Sequence, residues 1–121
     1  IIEPIQVDRR TYDNVYEKIA RTSTSVVFAE IISVVGAREE DGFTTYQCLL
    51  KEQIYGSPVN TNQDLSFYLA AFNDTLSVGN HYYIGIDPIS NDQSVVYSVT
   101  DRDTILADTI ENLQKLEAYL E

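Results

Sequence analysis

The sequence predicts a mainly β domain: a small five-stranded antiparallel barrel with one α-helix N-terminal and one C-terminal to it. Three observations carry this. Thr24–Val35 is a long run of Val, Ile and Phe that is apolar on both faces. Phe43–Tyr55 alternates apolar with polar residues and closes on Gly56-Ser57-Pro58. The stretch from Leu76 to Asp87 is a tight turn that feeds a further apolar strand.

Element by element, Pro4 disfavours helix at Glu3–Val7, which reads as an extended arm. A first helix spans about 8–21, with Asp8 or Thr11 as cap and Tyr12, Val15, Tyr16 and Ile19 in one stripe. The first strand, about 24–35, places Val26, Phe28, Ile32 and Val34 on one face and Val27, Ala29, Ile31 and Val35 on the other. Such a strand fits a barrel member that bends and changes the neighbours it covers through a bulge. The Asp41-Gly42 pair marks a hairpin into the second strand, about 43–55, whose buried face carries Tyr46, Cys48, Leu50 and Ile54.

A third strand, about 64–72, reads from Leu65, Phe67 and Leu69. Val78-Gly79-Asn80 turns the chain into a fourth, about 82–87, which Pro88 ends. After a turn at Asn91–Ser94 comes a fifth, about 95–99. Thr100 and Asp103 have the spacing of a capping box for a final helix, about 103–120, with Leu106, Ile110, Leu113, Leu116 and Leu120 as its stripe. There is no repeat, linker or low-complexity segment, so residues 1–121 read as a single domain.

Charge narrows the partners. Nineteen acidic residues against eight basic ones give a net charge of −11. The acidity grows along the chain: residues 1–35 hold five acids and four bases, and residues 87–121 hold eight and two. A surface of this sign repels a phosphate backbone and an anionic bilayer, so neither nucleic acid nor a membrane surface is an expected partner. No apolar run approaches the roughly 18 residues of a membrane span. The lone Cys48 cannot close an intrachain disulfide. The chain starts at Ile1 and contains no Met, which reads as a trimmed or mature product.

The Ser23–Val35 run, the alternating second strand that enters Gly56, and the Leu76-x-Val78-Gly79-x-x-Tyr82-Tyr83-Ile84 turn and strand carry a resemblance. Over about residues 8–100 they resemble the netrin-like, tissue-inhibitor-of-metalloproteinases-like branch of the OB-fold. More narrowly, they are similar to uncharacterised bacterial secreted or lipoprotein domains. The resemblance implies an OB-fold-like barrel in an extracellular or cell-envelope setting, with a lipid anchor upstream of Ile1 as one form of it; a cytoplasmic setting stays open. Two departures matter. Inhibitors of that family chelate a catalytic zinc through an N-terminal Cys, and this chain begins Ile1-Ile2-Glu3-Pro4. Nucleic-acid-binding OB-folds place a helix between the third and fourth strands, where only Asn73–Asn80 lies here.

Few residues suggest chemistry. His81 is the only histidine and has no Gly-x-Ser-x-Gly elbow or similar partner, so it reads as a turn residue. Cys48 lies on an apolar face and reads as a small hydrophobe. Asp87, Asn91, Asp92, Asp101 and Asp103 are candidate calcium ligands or catalytic acids; their spacing does not match a calcium loop, and turns and caps explain them more simply. Glu39, Glu40 and Asp41 read as a solvated hairpin tip. Asn73-Asp74-Thr75 is a glycosylation sequon, meaningful in a eukaryotic secretory setting alone.

Arg9, Arg10, Lys18 and Arg21 make the first helix basic, while Asp108, Glu111, Glu117 and Glu121 make the last acidic, so the two are expected to lie partly facing at one end of the barrel. The expected function is non-enzymatic binding of a protein partner, with no cofactor. Tyr55, Tyr68 and Tyr83 are the expected contacts, because exposed aromatics supply large contact area at low entropic cost. The alternatives are a calcium-dependent domain or an enzyme built on the acids from Asp87 to Asp103, and oligosaccharide binding in a groove of clustered Tyr side chains.

Overall fold

One long strand must bury both of its faces, and the architecture follows from how it does so. A computed structural model describes residues 14–38, 42–90 and 95–120. In chain order its elements are α1 (Val15–Thr22), β1 (Ser25–Arg38), β2 (Phe43–Gly56), β3 (Ser66–Phe72), β4 (His81–Ser90), β5 (Val95–Val99), β6 (Ile105–Ala107) and α2 (Ile110–Glu117). The protein is mainly β, with a closed five-stranded barrel and two short helices. The strands run in the order β1-β2-β3-β5-β4, and β4 returns to β1. Every barrel pairing is antiparallel except the seam between β3 and β5, which is parallel (Leu69 beside Tyr97, Ala70 beside Ser98). Simple hairpin connections do not foreshadow that seam; it arises because the chain crosses the barrel mouth between β3 and β4.

β1 turns Val27, Ala29 and Ile31 into the barrel, where they meet Cys48, Phe67, Leu69, Ile84 and Ile86. Its opposite face carries Val26 and Phe28, which join Tyr83, Leu106, Ile19 and Leu116 in a second core outside the barrel. Both apolar faces of the sequence thus find a burial site. The expected bulge is present: the β1–β2 register shifts at Val26/Val27, Phe28/Ala29, Ile31/Ser33 and Val34/Gly36.

α1 and α2 cover the outer core together. The Tyr16 hydroxyl donates to Asn112 Oδ1 at 2.7 Å, and the Asn14 amide donates to the Tyr119 hydroxyl at 3.0 Å. The helices therefore meet as expected, but not through opposite charge. Lys18 goes instead to Asp101 and Asp103, and Arg21 to Glu17 in its own helix. Arg9 and Arg10 lie outside the described residues. Asn14 is extended and its side chain accepts from Glu17 N, so α1 begins at Val15. The start expected at Asp8 or Thr11 lies outside the described residues, as does Tyr12.

Three boundaries and the burial of one helix position differ from expectation for identifiable reasons. The final helix starts at Ile110, not 103. Ile105–Ala107 is β6, paired with Tyr82, Tyr83 and Ile84, and Thr109 caps α2 by accepting from Asn112 N. β5 and β6 form one line of pairing along β4, interrupted by the excursion 100–104. Gly85 spans the gap, donating to Thr104 O and accepting from Thr100 N, both at 2.9 Å. Ile110, expected in the buried stripe, is 72% exposed, whereas Leu106, Leu113, Leu116 and Leu120 do join the outer core. β4 runs on through Pro88, because beyond Ile86 it has left β1 and keeps β5 alone as a neighbouring strand, an edge that tolerates a missing N–H. β3 starts at Ser66: Asp64 Oδ1 accepts from Ser66 N, and Leu65 takes a φ of 70° in the turn before it.

Two glycines mark close approaches. Gly56 has a φ of +88°, and a Cβ there would lie 2.2 Å from Thr24 O. A Cβ at Gly85 would lie 2.1 Å from Ser23 Oγ, the hydroxyl that accepts from Thr100 Oγ1. Gly56→Ala combines backbone strain with a clash against main chain and should cost about 2–3 kcal/mol. Gly85→Ala meets a movable side chain and should cost less, about 1–2 kcal/mol. Urea denaturation followed by circular dichroism measures both, and equal stability of the two variants would contradict this account.

Candidate functional site

The barrel interior holds side chains. Tyr46, Phe67, Leu69, Ile84, Ile86 and Tyr97 fill it around Cys48, each less than about a tenth exposed. Its two hydroxyls are engaged: Tyr97 accepts from Asn60 N at 2.9 Å, and Tyr46 donates to Leu76 O at 3.4 Å. Among the described residues no buried side-chain polar atom lacks a partner. The surfaces left to consider are therefore on the outside of the barrel.

The three expected tyrosine contacts do not form one patch. Tyr55 and Tyr68 are exposed. Tyr55 lies near the end of β2, while Tyr68 pairs with Gln47, so roughly 26 Å of strand separates the two positions. Tyr83 is only 7% exposed and stacks on Phe28 at 4.7 Å between ring centres. It belongs to the outer core and is not a surface contact: β4 alternates, and α1 and α2 cover that face.

The acids from Asp87 to Asp103 have structural partners. Asp87 accepts from Thr24 N at 2.8 Å. Asp101 and Asp103 both grip Lys18, at 2.7 and 2.8 Å, and so tie the 100–104 excursion to α1. Asn91 and Asp92 lie outside the described residues, as do Glu39, Glu40 and Asp41. Among the described residues no three His, Cys, Asp or Glu side chains converge as metal ligands. His81 opens β4 and stacks on Phe28, with Nε2 3.7 Å from Glu30 Oε1. In the sequon, Asn73 Oδ1 accepts from Thr44 Oγ1, and Thr75 donates to Phe72 O.

The surface that stands out is the far half of β1. β4 pairs with β1 only as far as Glu30 beside His81. Two further bonds, Ile31 N to Asn80 O and Gly79 N to Ile31 O, close the junction. The chain then turns off through Ser77–Asn80, and beyond it residues 33–38 have β2 as their sole strand neighbour among the described residues. Ile32, Val34 and Val35 are exposed along this stretch, and Val78 is exposed in the adjoining turn. Next to the same turn is a shallow pocket of about 270 Å³ lined by Asn80, His81, Tyr82 and Asp108. A second pocket, of about 570 Å³, lies over Gln47, Asn62, Gln63, Asp64 and Ser66.

Sequence reasoning missed this edge because it counted Ile32, Val34 and Val35 as strand faces awaiting burial. The available signal was the absence of any charge from Ile31 to Ala37 in a chain that is 22% charged. No protein-family model matches the chain, and comparison with characterised proteins finds no significant relative.

Two expectations can be measured. Contact with Asp101 and then Asp103 raises the Lys18 pKa, while contact with Lys18 and the Arg102 N–H lowers that of Asp101. Asp101 thus contributes stability above the ordinary carboxylate range and loses it as pH falls through its depressed native value; Lys18 contributes below the ordinary lysine range and loses it as pH rises through its raised one. Both carboxylates are half exposed, so Lys18→Ala should cost only about 0.5–1 kcal/mol at neutral pH. The gap between variant and parent should close at low pH and in high salt, and a gap that persists in acid would contradict the assignment.

Burial pushes the Cys48 thiol up to about 12. A disulfide reagent should therefore label it only as fast as the chain opens, and the rate should rise with urea. Prompt labelling of the native protein would show the barrel to be leaky.

Proposed function

We propose that this chain is a non-catalytic interaction module that binds a protein partner on the outer surface of its barrel. The observation that supports the reading is the contrast between a filled interior and the large apolar side chains left exposed along one stretch of β1 and its adjoining turn, at Ile32, Val34, Val35 and Val78. Apolar side chains exposed in such density on one strand mark a candidate contact site. The net charge of −11 supports a protein in preference to nucleic acid. The closed 1-2-3-5-4 strand order supports the OB-type resemblance, and an exported setting remains part of the same proposal.

The competing readings find less support. A saccharide groove needs clustered tyrosines, and Tyr55, Tyr68 and Tyr83 are dispersed. A calcium site needs free carboxylates, and Lys18 already holds Asp101 and Asp103.

A photo-crosslinking residue at position 34 or 35 should give discrete protein adducts in cells that produce the chain, and the same residue at exposed position 111 should not. The purified chain should keep its melting temperature in millimolar calcium. Adducts at 111 alone, or a melting temperature raised by calcium, would overturn the reading.

A further inference from the structure

We infer that the edge of β1 at residues 33–37, which has β2 as its sole strand neighbour among the described residues, receives an extended basic segment of the partner protein as an added strand. This rests on the protein-binding reading above and supplies its surface and its chemistry.

The backbone comes first. An edge strand presents a row of unpaired N–H and C=O groups, and proteins usually blunt such edges with charged side chains or proline. Ile31–Ala37 has neither. It combines Ile and Val with zero charge, the composition that pairs most readily with another strand. Ile32, Val34 and Val35 are exposed within it, and Val78 is exposed in the adjoining turn.

Place comes second. β4 lies antiparallel to β1 over Ser25–Glu30 and begins only at His81, where the chain arrives through the Ser77–Asn80 turn. A segment laid antiparallel on residues 33–37 therefore continues the line of β4 and ends against Gly79 and Asn80. Its C-terminal residue arrives beside the pocket that holds Asp108, with Glu30 one pair further along the ladder.

Charge decides the occupant. A second copy would bring another −11 to the contact, and the register shifts at Ile31/Ser33 and Val34/Gly36 bend the edge away from a continuous two-fold ladder. A flexible segment follows that bend. Lys or Arg at its C-terminal end meets Asp108, Glu30 being already faced by Lys51 at 3.9 Å and His81 at 3.7 Å, and the acidic field of the whole chain speeds its approach. Main-chain hydrogen bonds supply affinity in this mode, and alternate side chains supply specificity.

The test pans a displayed library of random peptides, about twelve residues long, against the whole chain. Selected peptides are then measured by fluorescence anisotropy at about 50 and about 300 mM salt. The expected result is enrichment of alternating apolar residues followed by Lys or Arg, binding that weakens with salt, and slowed amide exchange at residues 33–37. Val35→Lys should weaken binding at least about tenfold, while the uncharged Val35→Thr should retain it. Exchange mapping on the parent chain keeps the test decisive if Val35→Lys fails to fold. Peptides without basic bias, protection centred on Tyr68 instead, or sedimentation as a dimer that Val35→Lys dissolves would each overturn the inference. A library that yields no binder would overturn the protein-binding reading along with it.

Discussion

The demand that β1 bury two faces at once organises this molecule. A strand with one apolar face can rest on a single core, but β1 has Val27, Ala29 and Ile31 on one side and Val26 and Phe28 on the other. Curling the sheet into a barrel covers the first set. The second needs a lid, and neither helix is long enough to supply one alone. α1 and α2, eight residues each, do it jointly from opposite ends of the sequence. The hydroxyl and amide bonds between them then fix an alignment that the apolar contacts leave loose.

Beyond Ile31 the two-sided demand stops, and so does the covering. β4 leaves, the helices do not reach, and the same apolar composition meets solvent. One strand thus serves as core in its first half and as surface in its second. The bulges between the halves change which side chains point inward without breaking the pairing with β2.

Much of this was legible in the sequence. The long apolar run, the alternating β2 and the glycine at 56 specify strands of barrel length with a tight exit, and the structure supplies all three. What resisted reading has physical causes. Thr100 and Asp103 have the spacing of a helix cap, yet Ile105–Ala107 satisfies the free edge of β4, a tertiary demand that local spacing does not contain. Pro88 breaks a central strand but not an edge, and whether it stands at an edge depends on where β1 ends. Tyr83 was indistinguishable from Tyr55 and Tyr68 because tyrosine suits both core and surface, and only the helices decide which. The open half of β1 was hidden for the converse reason: its residues look like core.

The helix pair also has a kinetic meaning. Its two hydrogen bonds join residues 96 and 105 positions apart in sequence, so each closes a loop of most of the chain. Loop-closure entropy places such contacts late in folding and makes them poor nuclei, while the β1–β2 hairpin is the local seed. The reverse path starts where the forward one finishes. Release of α2 uncovers Phe28 and Tyr83 while every barrel ladder stays paired, so the first opening of this protein is a loosened clasp on an intact barrel.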